Sequence, residues 1–368
     1  MNINTTQKSK MIIITSSCTP RVKKRMQKLN TKYDLILFYF TRPNDNIELR
    51  DNILKLSMSQ VYSGQIEDGT YLKRIPKYWK LLKNLRKRRV EKFYFFGADF
   101  QFLFPFLRKK KKYLELGDLR LVDAKGLKKW LLDFYEKICL KNLTMLILTS
   151  EHHYSDYFEK YISKDNVLIL RNKLENHPAL NKLKREIVEI AKEDKIKIGL
   201  FGFIRYERAT DMLLNFMEEH ADKYELHISG IPLTKYTTSF MESLQIEHKN
   251  VFWYGSYLYP DGLENVYKKA HITFVVYDNY FENVRKAIPN KLYESTLFNK
   301  PILAACNTEF GKEVVKKGIG TQIPIDSYTD FETAILKISK EQIEKWSMTM
   351  SKIPKDQIFD NSQYLEQI

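Results

Sequence analysis

The chain has 368 residues, with 61 Lys and Arg against 45 Asp and Glu, a net charge of +16. A length for two domains and a hydrophobic content of 43% exclude wholesale disorder, and the cation surplus calls for an anionic partner: nucleic acid, a membrane surface or a phosphate-bearing substrate. Cys18, Cys139 and Cys306 lie far apart with no CxxC spacing, which excludes a disulfide framework and a cysteine zinc site and fits a reducing cytoplasm.

"MIIITSS" (11–17) predicts a first β-strand rather than a signal peptide, and no stretch reaches the ~20 apolar residues of a membrane span. A helix follows in "PRVKKRMQKL", then the strand "YDLILFYF" (33–40) and the basic helix "YWKLLKNLRKRRV" (78–90). "KFYFFGAD" (92–99) and "KYLELGDL" (112–119) are strands around the short helix "FQFLFPFLRKKK". "AKGLKKWLLDFYEKICL" (124–140) is an amphipathic helix whose apolar face is Leu127, Trp130, Leu131, Phe134 and Ile138. Strands at 143–150 and 166–170 end this half, and the polar stretch 172–195 is the expected linker.

The second half repeats the pattern. Strands are expected in "KIKIGLFGF", "YELHISG", "NVFWYGS", "HITFVVY", "KPILAA" and "TQIPI", with helices such as "TDMLLNFMEEH" and "LENVYKKA" between them. From about residue 330 the tail reads as helices with a frayed polar end. This alternation means βαβ units and parallel sheets covered on both faces, hence an α/β protein of two doubly wound, Rossmann-like domains facing across a cleft. The expected division is 1–175, 176–335 and a helical tail 336–368 that packs back on the first domain. Ligands of such sheets bind outside the carboxyl ends of the strands, which directs attention to "FGFIRYER", "SGIP", "YGSY", "VYDNYFENVRKAIPNK" and "AACNTEF".

One stretch, "AIPNKLYESTLFNKPILAA" (287–305), carries specific chemistry. Asn290 stands at the N-cap of a helix, Lys291 opens it, and Glu294 follows on the same face. Free backbone N–H groups and a Lys at a helix start suit a pyrophosphate. Glu294 can accept hydrogen bonds from a diol such as ribose. The bland alternative is a surface Lys–Glu pair contributing about 0.2–0.5 kcal/mol.

"AIPNKLYESTLFNKPILAACN" resembles the donor-binding segment of retaining nucleotide-sugar glycosyltransferases of the GT-B fold, in the family-four group of bacterial capsular and exopolysaccharide type. "KIGLFGFIRYERATDMLLNF", "LHISGIP", "NVFWYGSYLYPDGLENVYKKAHITFVVY" and "GKEVVKKGIGTQIP" resemble its other segments in the same order, covering roughly residues 195–326. The first half matches more loosely, through "SSCTPRVKKRMQKL" and its later strands. The resemblance implies that Arg205 and Lys291 hold the donor diphosphate and stabilise it as it leaves. Glu294 would bind the ribose, the Gly202 turn would let backbone approach the phosphates, and Asn290 and Asn283 would complete the donor set. It implies no metal and no other cofactor, and no DxD motif is present. Where the family often has a second Glu, eight positions before Glu294, this chain has Lys286, with Glu282 and Asn283 nearby; the sugar is left open.

On the acceptor side, Asp118 at a strand end is the candidate base, with loop capping as the alternative. Arg21, Glu115 and His153 are candidate acceptor contacts, and Asp99 is expected to cap a helix. The implied activity is sugar transfer with retention, from a nucleotide sugar expected to be UDP-linked, to a glycan or polyprenyl-diphosphate-linked acceptor in cell-surface polysaccharide synthesis. The protein is then expected in the cytoplasm, peripheral on the inner face of the cell membrane. The basic runs "KNLRKRR" (83–89) and "RKKKK" (108–112) would dock on anionic lipid at about 1 kcal/mol per residue, unless they are plain solvated faces. Two other readings stand: a basic nucleic-acid-binding protein, without any helix-turn-helix, RRM or KH signature, and a GT-B subunit that has lost catalysis, which Lys286 keeps in view.

Overall fold

The computed structural model describes residues 8–43, 47–67, 71–119, 126–360 and 363–368. They form two compact units, 1–171 with 362–368 and 172–361. Unit 1 holds seven strands: β1 (Ser9–Thr15), β2 (Tyr33–Thr41), β3 (Ser59–Gln65), β4 (Lys92–Phe96), β5 (Lys111–Leu116), β6 (Met145–Leu148) and β7 (Val167–Ile169). Unit 2 holds six: β8 (Ile196–Ile204), β9 (Tyr224–Pro232), β10 (Val251–Trp253), β11 (Ile272–Val275), β12 (Ile302–Ala305) and β13 (Gly320–Ile323). All pairings between them are parallel, in the orders β3-β2-β1-β4-β5-β6-β7 and β10-β9-β8-β11-β12-β13.

Both sheets reverse winding beside their first strand, between β1 and β4 and between β8 and β11, as in doubly wound folds. The central strands are runs of Ile, Leu, Phe and Tyr because helices cover both faces of a parallel sheet. Met11, Ile12, Ile13 and Ile14 of β1 are all fully buried.

The sequence reading missed β3. Its segment "SQVYSGQ" lies at the sheet edge, paired only with β2 and with no buried residue, so hydrophobic periodicity has nothing to report. The expected helix is present over Gly126–Leu140. Its apolar face is turned outward: Leu127, Trp130, Leu131, Phe134 and Ile138 are all exposed, while Cys139 and Leu140 are buried. The helix is apolar on two sides, and only one of them can meet the unit it packs on. Asp99 does not cap a helix. Gly97 occupies that position before the 3-10 segment Ala98–Leu107, and Asp99 pairs with Arg42 at 3.6 Å and Arg74 at 3.5 Å.

The stretch 172–195 straps onto unit 2 instead of hanging free. Leu174, Leu180, Val188 and Ile190 are buried, and Val188 N donates to Ser347 Oγ at 2.8 Å. The last residues are not frayed. Tyr364 and Ile368 are buried in unit 1, where Tyr33 Oη donates to Ile368 O at 2.8 Å.

Candidate functional site

In unit 2 the carboxyl ends of β8 and β9 are pinched together by glycines. Gly202 and Gly230 are paired in register, and a Cβ on Gly230 would stand 1.8 Å from Gly202 O. Gly202 itself has φ +104°, and a Cβ there would come within 3.0 Å of Lys291 Cε and 3.3 Å of Nζ. The missing side chain leaves room for the lysine.

Lys291 opens the helix Lys291–Leu297, every residue of which is buried. Its Nζ donates to Glu294 Oε2 at 2.5 Å and to Tyr257 Oη at 3.0 Å, and Tyr267 Oη donates to the same Glu294 oxygen at 2.9 Å. Tyr267 is held between Phe201 and Phe298, with ring centroids at 5.0 and 4.8 Å. The pair is therefore no solvated surface bridge, its side chains being 10% and 2% exposed. Burial pushes the Lys291 pKa down most, but the Glu294 carboxylate together with Tyr267 and Tyr257 outweighs it, and the ammonium is held well above the ordinary lysine value. The ammonium has three N–H donors. Two are used, and among the described residues the third has no oxygen acceptor. Nor does any described residue donate to Glu294 Oε1.

Arg205 is exposed just beyond β8, its Nη2 donating to Tyr206 Oη at 2.9 Å. Tyr206 stacks on Tyr277 with centroids 4.3 Å apart. Burial raises the Tyr277 pKa, as does Tyr206, while Lys291 and Arg205 both pull it down, so the two cations share this tyrosine as a neighbour. Buried Asp278, next in the chain, accepts from Ala209 N at 3.0 Å. The helix Glu207–Glu219 has no cap bond from its own N-cap side chain, Tyr206, so the loop after β11 caps it from a distance and fixes the Arg205–Tyr206 turn.

Asn290 sits at the N-cap position of Lys291–Leu297, but its backbone is helical (φ −61°, ψ −20°) and its side chain makes no cap bond. The helix start is thus exposed at Asn290 and buried from Lys291 onward. Asn283 lies in the short helix Glu282–Lys286, half-buried, with its carbonyl accepting from Ala287 N. Glu282 in that helix pairs with Arg285 and, at 3.8 Å, with Lys286.

Unit 1 brings four of the predicted residues together at the carboxyl ends of β5 and β6. Glu115 is fully buried: Arg25 Nε donates to both its oxygens at 3.2 and 3.3 Å, Tyr94 Oη donates at 2.6 Å, and Arg21 Nε stands 3.7 Å away. A direct acceptor contact is closed to it; it positions the two arginines. Arg21 remains partly exposed, and a Cβ on Gly117 would lie 1.6 Å from its Nη1, so Gly117 makes its room. Asp118 follows, exposed. His153 is fully buried, with neither ring nitrogen hydrogen-bonded among the described residues. Burial pushes it down to about 4 against the pull of the Asp118 carboxylate.

Sequence reasoning missed Tyr257, Tyr267, Tyr277 and Asp278. "YGSY" and "VYDNY" marked the loops of three of them; only the fold shows which side chains meet Lys291. Among the described residues one group could hold a metal, Glu219, His220 and Glu332. It lies at the far end of the helix that Arg205 precedes, with His220 paired to Glu332 and Glu219 to Tyr328. Two hollows, one around Lys195 and His248 at the amino end of the sheet and one around Thr321 and Trp346 at its β13 edge, stand apart from the cluster.

No known family profile matches the chain. A 127-residue stretch is 27% identical to the succinoglycan biosynthesis protein ExoL of Rhizobium meliloti strain 1021, spanning 34% of this chain and 31% of that protein. The whole chain superposes on Anabaena Alr3699/HepE, solved in complex with UDP and glucose, at TM-score 0.68 with 11% identity, covering 98% and 99% of the two chains. WaaG, a glycosyltransferase involved in lipopolysaccharide biosynthesis, matches at TM-score 0.65 with 12% identity over 97% of each chain. The chain has the GT-B glycosyltransferase fold. A UDP-N-acetylglucosamine 2-epimerase is also similar, at TM-score 0.57 and 12% identity, so the activity has to be argued from the site.

Proposed function

We propose that this GT-B protein is a glycosyltransferase. It transfers a sugar from a nucleotide donor, UDP-linked as in the UDP-glucose complex of its structural neighbour HepE, to a glycan or lipid-linked glycan acceptor. The reaction belongs to cell-surface polysaccharide synthesis, in line with the partial ExoL relative, and proceeds with retention of configuration. The observation that carries the reading is the buried Lys291–Glu294 pair, open toward the Gly202 turn and sharing Tyr277 with Arg205.

The donor diphosphate takes the third N–H of Lys291 and the Arg205 guanidinium. Both cations are charged before the substrate arrives, so they stabilise negative charge building on the leaving diphosphate without reorganising. Two protein cations supply that charge with no metal required. Glu294, one oxygen already saturated by Lys291 and Tyr267, offers Oε1 to the ribose hydroxyls. Asn290 and Asn283 flank the donor. Lys286, already beside Glu282, changes the sugar contacts that an acid would make.

On the acceptor side Arg21 meets an acceptor phosphate, and Asp118, with His153 behind it, takes the acceptor proton. The enzyme works in the cytoplasm at the inner face of the membrane.

UDP titration calorimetry on Arg205→Ala, Lys291→Ala and Glu294→Ala tests this. A lost charge-assisted hydrogen bond of about 1.5–3 kcal/mol weakens binding by roughly 10- to 150-fold. Unchanged affinity in all three variants overturns the reading.

A further inference from the structure

We propose that unit 1 docks on an anionic lipid bilayer through the outer face of the helix Gly126–Leu140, which deepens the reading of a lipid-linked acceptor by naming the surface that reaches it. Leu127, Trp130, Leu131, Phe134 and Ile138 fall at helical spacing on one stripe and are 43–73% exposed. The Trp130 and Phe134 rings stack within it at 6.1 Å. Monomeric proteins seldom leave such a stripe in water without a use for it.

Charge decides what covers it. Unit 1 contains 35 of the 61 Lys and Arg and 18 of the 45 Asp and Glu, a net +17; unit 2 contains 26 and 27, a net −1. The whole cation surplus lies on the unit that carries the stripe. At 100° per residue Lys137 borders the stripe, and Lys141 follows the last residue of the helix; both are exposed. So are Lys83, Arg86, Lys87, Arg88 and Arg89. Lys112 of the second basic run is not available, since it is fully buried with its Nζ on Leu107 O and Lys110 O. A second copy of the chain would bring +17 against +17, whereas anionic headgroups complement it.

Fifteen residues rise about 22 Å, too short to span a bilayer but right for lying in its interface. Apolar residues with Trp and Phe on one side and lysines along the border are what such a helix needs. Among the described residues no helix is long and apolar enough to cross a membrane.

The test is flotation of the full chain with phosphatidylcholine vesicles, with and without phosphatidylglycerol, read together with tryptophan fluorescence. Binding to the phosphatidylglycerol vesicles alone, with a blue shift and a steep fall at high salt, is expected. Trp130→Ser/Phe134→Ser lowers the partition coefficient at least about tenfold, and Lys137→Ala and Lys141→Ala about fivefold each, with the urea midpoint kept as the check on folding. Equal partition of the aromatic variant overturns the proposal. So does a dimer in solution that this variant converts to a monomer, or retention by an oligonucleotide but not by vesicles. No donor is present in this assay, so its outcome and that of the transferase reading are separate.

Discussion

Each unit buries an acid–base pair beneath tyrosines, and the two pairs do different things. In unit 1, Arg25 and Glu115 are 1% and 0% exposed, with Tyr94 on the carboxylate and Leu170 O and Tyr364 on the guanidinium. In unit 2, Lys291 and Glu294 leave an N–H and an oxygen without partners among the described residues, beside a glycine that holds space open. A closed pair is structure; a pair with spare donors and acceptors has room for a third member, as the proposed donor site requires. The cost of burying charge is similar in kind for both, so the contrast lies in what each leaves unsatisfied.

Breaking the closed pair should have the largest effect. Glu115→Ala leaves Arg25 uncompensated and should cost about 3–5 kcal/mol in urea unfolding, while the folded fraction keeps its UDP affinity. A loss of affinity without a loss of stability would erase the distinction. The second effect sharpens it through pH. His153, fully buried in unit 1, is held near 4 instead of 6.5, so the unfolded chain binds the proton first. Its contribution is complete above pH 6.5 and is lost as pH falls toward about 4, on the order of 3 kcal/mol. His153→Gln should flatten that limb of the stability profile of unit 1; an unaltered limb would assign it to another group. The smallest effect falls on the open pair. Gly202→Ala puts a Cβ at φ +104° and 3.0 Å from Lys291 Cε. About 1–3 kcal/mol of strain should appear chiefly as weaker UDP binding; a variant binding as the parent does would show that the space beside Lys291 goes unused.

The two doubly wound sheets were legible because their strands are long apolar runs separated by amphipathic segments. β3 was not, since a polar edge strand has no pattern to give. Spacing placed Lys291 and Glu294 on one helix face but could not say that the face is buried, because Tyr257 and Tyr267, which enclose it, lie 34 and 27 residues away from their partners. The Arg25–Glu115 bond spans 90 residues and the Asp278 cap 69, distances at which a single sequence shows no pairing. Periodicity found the apolar face of Gly126–Leu140 but not its exposure: it tells which residues share a side, and tertiary packing decides what that side meets.

Residues 363–368 bear on biogenesis. Tyr364 and Ile368 complete a unit whose strands are all translated before residue 172. On the ribosome the first sheet therefore waits, with Arg25 and Tyr33 lacking these partners, through synthesis of the entire second unit. Folding of this protein should then finish at its beginning, once residues 363–368 have been made, and not in the N-to-C order that domains usually follow.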